Sequence, residues 1–339
     1  MKALVWSAAE TMDWEELERP ALGSDEVLVR VEVVGICGSE IEGYLGHNSL
    51  RVPPLIMGHE FCGIVEEAGG ATGESWTGKK IVVNPLLFCG KCNSCTKGLT
   101  QLCEQRKIIG IHRPGAFAQW AIVPVSALVE VPAGLSAANA ALAEPLACSL
   151  RATRRAMERH PFANVVVFGA GGIGILCAMT AKLLGAAKVM IVDTNAERLN
   201  MCRSIGITET ANAREDRLED RARETFGSKG TDVVIDAAGF QPTRETAVKL
   251  LNPGGTLMNI GLGIDITELP INYTIRSEIE ILGSFCYTRR DFLDAVDLLI
   301  AGKITGSGWT EKRPLSEGHR AFADLVAGKV TCGKILLQP

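Results

Sequence analysis

The apolar positions of this chain change their period near residue 147. Before it they form short β-type runs, such as EVLVRVEVV (26–34), GIVEEAG (63–69), KKIVVNP (79–85) and FAQWAIVP (117–124), separated by glycine and proline. That punctuation predicts an all-β unit of short strands. After it, strand-like and helix-like runs alternate. NVVVFGAGGIGILCAMTAKLLGA (164–186) reads as a buried strand, a glycine turn and a helix. KVMIVD (188–193), TDVVIDAAG (231–239), GGTLMNIG (254–261) and EIEILGSF (278–285) read as further strands. TNAERLNMCRSIG (194–206) reads as a helix closing near Gly206, DFLDAVDLLIAGKI (291–304) as an amphipathic helix, and the final GKILLQP as a strand. Apolar β-branched runs bounded by helices argue for a parallel sheet. The expected fold class is therefore α/β: a β-rich domain followed by a doubly wound parallel-sheet domain.

A length of 339 residues fits two cores better than one. Hydrophobic residues at 47% and charged residues at 22% are an ordinary globular balance. No apolar run approaches the ~20 residues of a membrane span. The start MKALVWSAAE lacks a signal-peptide pattern, so a cytoplasmic location is expected. A net charge of -4 gives no reason to expect a nucleic acid or an anionic membrane as partner.

The 11 cysteines suit a reducing compartment as mostly free thiols. Four of them, Cys89, Cys92, Cys95 and Cys103, crowd into FCGKCNSCTKGLTQLC. The intervening residues are small and polar, as a loop around an ion requires. Two disulfides, an iron–sulfur cluster and a structural zinc compete for this pattern, and zinc in a closed tetrahedral sulfur set is the strongest of the three. Such a site has no open position, so the chemistry is expected elsewhere. A nucleic-acid zinc knuckle is disfavoured, because the lobe carries Lys91, Lys97 and Arg106 without an aromatic stack.

Gly169, Gly171 and Gly174, with Gly172 between them, form G-x-G-x-x-G directly after a strand and open a helix. Asp193 ends the next strand, where a carboxylate can hold the adenosine ribose of a dinucleotide, while the helix N-terminus faces the pyrophosphate. A carboxylate there favours NAD over NADP, with Arg198 one helical turn later as a further cofactor-binding candidate. Cys37 in GICGSE, and His59 and Glu60 in MGHEFCG, could hold a zinc ion with one position open. Glu144 in ALAEPLACS, a charge in an apolar run, is the remaining candidate.

Together these residues resemble the zinc-dependent medium-chain dehydrogenase/reductase family, of the alcohol, polyol and threonine dehydrogenase type. The resemblance spans essentially the whole chain and rests on GICGSE, GHE, the four-cysteine lobe, EPLA, GAGGIG with Asp193, and GSFCYTRRDFLDAVDLLIAGKI. It implies a GroES-like catalytic domain over 1–146 with a structural-zinc lobe at about 86–106, a Rossmann NAD-binding domain over 147–288, and a return to the catalytic domain over 289–339. It further implies a catalytic zinc on Cys37, His59 and Glu60, with Glu144 binding directly or through water, and a homo-dimer or homo-tetramer.

Zinc acting as a Lewis acid lowers the pKa of an alcohol. Cys37 and Glu60 already neutralise the ion formally, which favours Glu144 as a swinging or water-bridged partner. Ser39 is the expected first proton acceptor, and Tyr44, His47 and Phe285 are pocket candidates. Two positions depart from the family pattern. Glu42 stands where members often have a relay histidine, and Cys286 where sorbitol dehydrogenases carry arginine. The expected activity is oxidation of a secondary alcohol of a polyol or sugar alcohol with NAD, giving a ketone. Alternatives are oxidation of a 3-hydroxy amino acid such as threonine, or a non-catalytic zinc- and NAD-binding regulator.

Overall fold

A computed structural model describes residues 1–47 and 50–339. Two sheets organise them. One has seven strands, ordered Thr310–Pro314, Lys334–Gln338, Glu26–Gly35, Glu60–Ala68, Lys80–Val83 and Leu128–Glu130, with Trp120–Pro124 also paired to the long strand Glu26–Gly35. Its pairings are antiparallel except between the two C-terminal strands. The chain's last strand thereby lies beside one of its first, with Leu336 opposite Gly35.

The other sheet has six parallel strands in the order Glu209–Asn212, Lys188–Asp193, Asn164–Phe168, Thr231–Asp236, Leu251–Asn259 and Glu280–Gly283. Numbered along the chain, that order is 3-2-1-4-5-6, the doubly wound arrangement whose switch point lies between Asn164–Phe168 and Thr231–Asp236. Val165, Val166 and Val167 are fully buried, as expected for a strand covered on both faces. Burial stabilises by roughly 1.5–3 kcal/mol per side chain of this size.

The helix Ala143–Met157 is not among the elements that the sequence pattern predicts. It runs unbroken from the Glu144 candidate along the parallel sheet, and Pro145 is tolerated because it sits in the first turn, where N–H groups have no intrahelical partner. Helix Arg289–Ile300 packs against it, tied by Arg151 Nη1 donating to Asp291 Oδ2 at 3.1 Å. Among the described residues no helix is long and apolar enough to cross a membrane.

Candidate active site and metal centres

Cys37 precedes a short helix, Gly38–Tyr44, whose third residue, Glu40, turns back and accepts the Cys37 N–H at 3.0 Å. The other carboxylate oxygen accepts the Gly58 N–H at 2.8 Å and meets His59 Nδ1 at 2.9 Å. One fully buried carboxylate thus ties the Cys37 loop to the His59 strand. With Nδ1 engaged, His59 is left with Nε2 for an ion, the usual carboxylate–histidine support of a metal ligand. Burial opposes the charge on Glu40, but His59 and Arg51 together hold its pKa below the ordinary carboxylate value. Burial likewise opposes a proton on His59, yet Glu40 and Cys37 raise its proton affinity well above normal. The same negative groups favour a divalent cation in place of that proton.

Ligand atoms of Cys37, His59 and Glu60 all lie within 4.8 Å of one another, a span that fits one zinc ion. Glu60 has another partner. Lys334 Nζ lies 2.7 Å from each of its carboxylate oxygens and also donates to the Ile36 carbonyl at 3.2 Å. Glu60 can therefore serve an ion only by sharing its carboxylate with Lys334.

Glu144 is buried beside this triangle without being a member of it. Burial first, then the Glu60 charge, push its pKa up to about 7, against the opposing pull of His59 and Lys334. Cys148 Sγ donates to Glu144 Oε1 at 3.7 Å, while the fully buried Tyr287 hydroxyl faces Glu144 without a hydrogen bond of normal length. Ser39 Oγ donates to Cys37 Sγ at 3.3 Å.

Of the pocket candidates, Tyr44 is a core residue packed on Phe322 at 5.2 Å between ring centroids. Glu42 and His47 face solvent, 3.3 Å apart. Phe285 carries the Arg106 guanidinium 4.7 Å above its ring. Cys286 is half-buried against Cys148.

The four-cysteine lobe is equally compact. Its sulfurs lie within 4.8 Å of one another, Cys103 and Cys89 at 3.6 Å, and all four are free thiols. A tetrahedral sulfur set at the usual zinc distance of 2.3 Å has edges of about 3.8 Å. This span accepts one ion and is too narrow for a polynuclear iron–sulfur cluster, whose irons spread their thiolates wider. Backbone N–H groups of Cys95 and Glu104 bring the Cys92 thiol down to about 6.

At the switch point Gly169 has φ +99°, and a Cβ on Gly174 would stand 1.8 Å from the Gly169 carbonyl oxygen. Gly171, the N-cap of helix Gly172–Leu183, faces open space, as a close-lying pyrophosphate needs. Asp193 accepts the Ala170 N–H at 2.7 Å and the Asn195 N–H at 2.8 Å, which anchors its carboxylate beside the turn. The structure thus groups Gly169, Gly171, Gly172, Gly174 and Asp193. Arg198 is engaged elsewhere, donating to the Val330 carbonyl from Nε at 3.3 Å and Nη2 at 3.1 Å.

Sequence reasoning passed over Glu40, Arg51, Cys148, Tyr287 and Lys334. Glu40 had a local signal, an acid at the third helical position after Cys37. Lys334 had none, since its partner is 274 residues away.

Two family models match the chain. An alcohol dehydrogenase GroES-like domain covers residues 23–133 and a zinc-binding dehydrogenase domain covers 172–301. D-xylulose reductase A of Aspergillus oryzae is 31% identical over 314 residues, 90% of this chain and 87% of that protein. L-threonine 3-dehydrogenase of Chelativorans sp. BNC1 is 31% identical over 344 residues, 100% and 98% of the two chains. A Sinorhizobium meliloti 1021 structure described as a zinc-binding dehydrogenase bound to NADP superposes with a TM-score of 0.92 at 30% identity, covering 100% of this chain and 99% of that one.

Proposed function

The chain belongs to the zinc-dependent medium-chain dehydrogenase/reductase family, and from that premise we propose that it oxidises a secondary alcohol of a polyol or sugar alcohol to the ketone, with NAD as hydride acceptor. One contact carries the reading. Lys334 touches Glu60 through Nζ, and its Cε lies where a Cβ on Gly172 would come within 2.9 Å. The metal triangle and the first residue of the glycine-turn helix therefore share one neighbour, which supports a reading in which metal and cofactor chemistry meet.

Cys37, His59 and Glu60 would hold a zinc ion, which would supply a Lewis acid for the substrate oxygen. Ser39, beside the Cys37 sulfur, is assigned the relay: its oxygen accepts the proton released from the alcohol as its own hydroxyl proton moves on. Glu42 is turned to solvent with His47, so the proton's outlet is assigned to the cofactor ribose hydroxyl and water. Glu144, poised near neutrality, is assigned a water-bridged or swinging role at the ion. Asp193 binds the adenosine ribose and disfavours a 2′-phosphate. Cys89, Cys92, Cys95 and Cys103 would hold a second, structural zinc.

A second reading is oxidation of a 3-hydroxy amino acid, supported by the name of the Chelativorans relative. A non-catalytic regulator is the less favoured reading, because the candidate ligands Cys37, His59 and Glu60 are gathered at one place. A homo-dimer or homo-tetramer is supported by the edge strand Glu280–Gly283, with Ile281 exposed, and by the exposed Ile266, Ile271 and Ile275 close by in sequence. The test of function is a panel of xylitol, sorbitol and L-threonine with NAD. A polyol should give the highest kcat/KM; preference for L-threonine would select the second reading.

A further inference from the structure

Gly43 lies near the end of a helix of only seven residues, where glycine weakens it. Space explains the residue: a Cβ there would stand 2.6 Å from Arg51 Cδ and 3.3 Å from its Nε. Arg51 is only 3% exposed and has no ion-pair partner among the described residues. Among the described residues its Nε and Nη1 are buried without hydrogen-bond partners. Its hydrogen bond runs from Nη2 to Ser39 Oγ at 3.1 Å, and Ser39 in turn donates to Cys37 Sγ at 3.3 Å. A buried guanidinium with two unsatisfied donors is costly; Glu40 offers a nearby counter-charge without direct contact, and the guanidinium's hydrogen bond points at the serine next to a metal ligand.

A guanidinium has only donors and keeps its proton. Ser39 Oγ must therefore accept from Arg51, and the serine O–H must point away from it, toward Cys37 and the reacting centre. We propose that Arg51 is a positioning residue that fixes the rotamer and hydroxyl direction of Ser39 and closes the inner side of the serine to proton transfer, with Gly43 making room for it. The inference rests on the dehydrogenase reading above. On it, Ser39 accepts the alcohol proton only as it passes its own hydroxyl proton on, toward the cofactor ribose and water, because Arg51 cannot take it.

The test is a double-mutant cycle of wild type, Arg51→Met, Ser39→Ala and the double variant. It is run with NAD and whichever of xylitol, sorbitol or L-threonine the wild type oxidises fastest, with zinc content checked for each protein. Arg51→Met should lower kcat about tenfold or more while leaving the KM for NAD unchanged. In the Ser39→Ala background the same change should have less than about a twofold effect, since the two residues act as one unit. Arg51→Lys should restore part of the rate. An equal loss in both backgrounds, or no loss in wild type, overturns the proposal. Should Arg51→Met fail to fold, Gly43→Ala, which displaces the arginine stem and keeps the charge, should reproduce the Ser39-dependent loss; a wild-type kcat for it would overturn the proposal too. A wild-type protein inactive on all three alcohols fails at the level of function, and the assignment of Arg51 falls with it.

Discussion

Lys334 and Glu60 form a buried ion pair across 274 residues of sequence, with Nζ 2.7 Å from both carboxylate oxygens. Burial disfavours the lysine charge, but Glu60 first, with Cys37 and Glu144, together more than offset this and raise its pKa. The pair joins the last strand of the chain to the metal triangle, and it decides how much of Glu60 an ion can claim.

Lys334→Met should therefore expose a competition between ion and lysine. Removing one partner of a buried pair leaves the other charge uncompensated, at a typical cost of about 3–5 kcal/mol. That loss is expected in metal-free protein and should shrink with saturating zinc, where Glu60 finds the ion instead. Denaturant unfolding with and without zinc measures both; equal losses would show that Glu60 does not respond to the metal.

Cys103→Ser should act on stability. The closed sulfur set binds only once formed, so its ion contributes folding energy. Zinc content should fall from about two to about one per chain, with a clear drop in Tm and much smaller change in the chemical step. An unchanged Tm with strongly reduced turnover would refute the structural role.

Cofactor choice should follow Asp193. NAD should be preferred over NADP by about tenfold or more, on the order of 1.4 kcal/mol. Asp193 also accepts the Ala170 N–H at 2.7 Å, so Asp193→Asn, which keeps an acceptor and removes the charge, is the cleaner variant. It should narrow the gap in kcat/KM; equal use of both cofactors by wild type would contradict the role given to Asp193.

Glu144 should leave a mark on stability against pH. Burial raises its pKa from 4.5 to about 7, so the folded state holds the proton more tightly than the unfolded state. The resulting stabilisation is complete below about 4.5 and is lost as pH rises through about 7, with a slope of at most about 1.4 kcal/mol per pH unit. Metal-free Glu144→Gln should lack this component. Identical pH–stability curves for variant and wild type would place the carboxylate in a more polar setting than the structure does.

Much of this was legible because local chemistry repeats in local spacing. The four-cysteine run, the glycine turn and Asp193 each declare themselves within about thirty residues, and the structure groups them. The strands of the parallel sheet were readable from Val165–Val167 and their counterparts because burial on both faces leaves little room for polar residues. The hairpin Lys2–Ala8 with Thr11–Glu16 was not readable: its two-residue loop is Ala9–Glu10, and Glu10 adopts φ +58° without the usual glycine or asparagine. Helix Ala143–Met157 was hidden by EPLA, whose proline reads as a breaker until its first-turn position is known. Arg51 and Lys334 had no sequence signal, since each acquires its role from a partner that only the fold supplies.

The central claim is that carbinol hydrogen passes to the nicotinamide at a zinc-bearing site. A polyol deuterated at its reacting secondary carbon, incubated with zinc-replete protein and NAD, tests it most directly when the nicotinamide product is analysed by mass spectrometry. The account predicts reduced cofactor carrying one deuterium, formed by zinc-replete protein and abolished in Cys37→Ser. Reduced cofactor without deuterium, or equal labelling by Cys37→Ser, would contradict it.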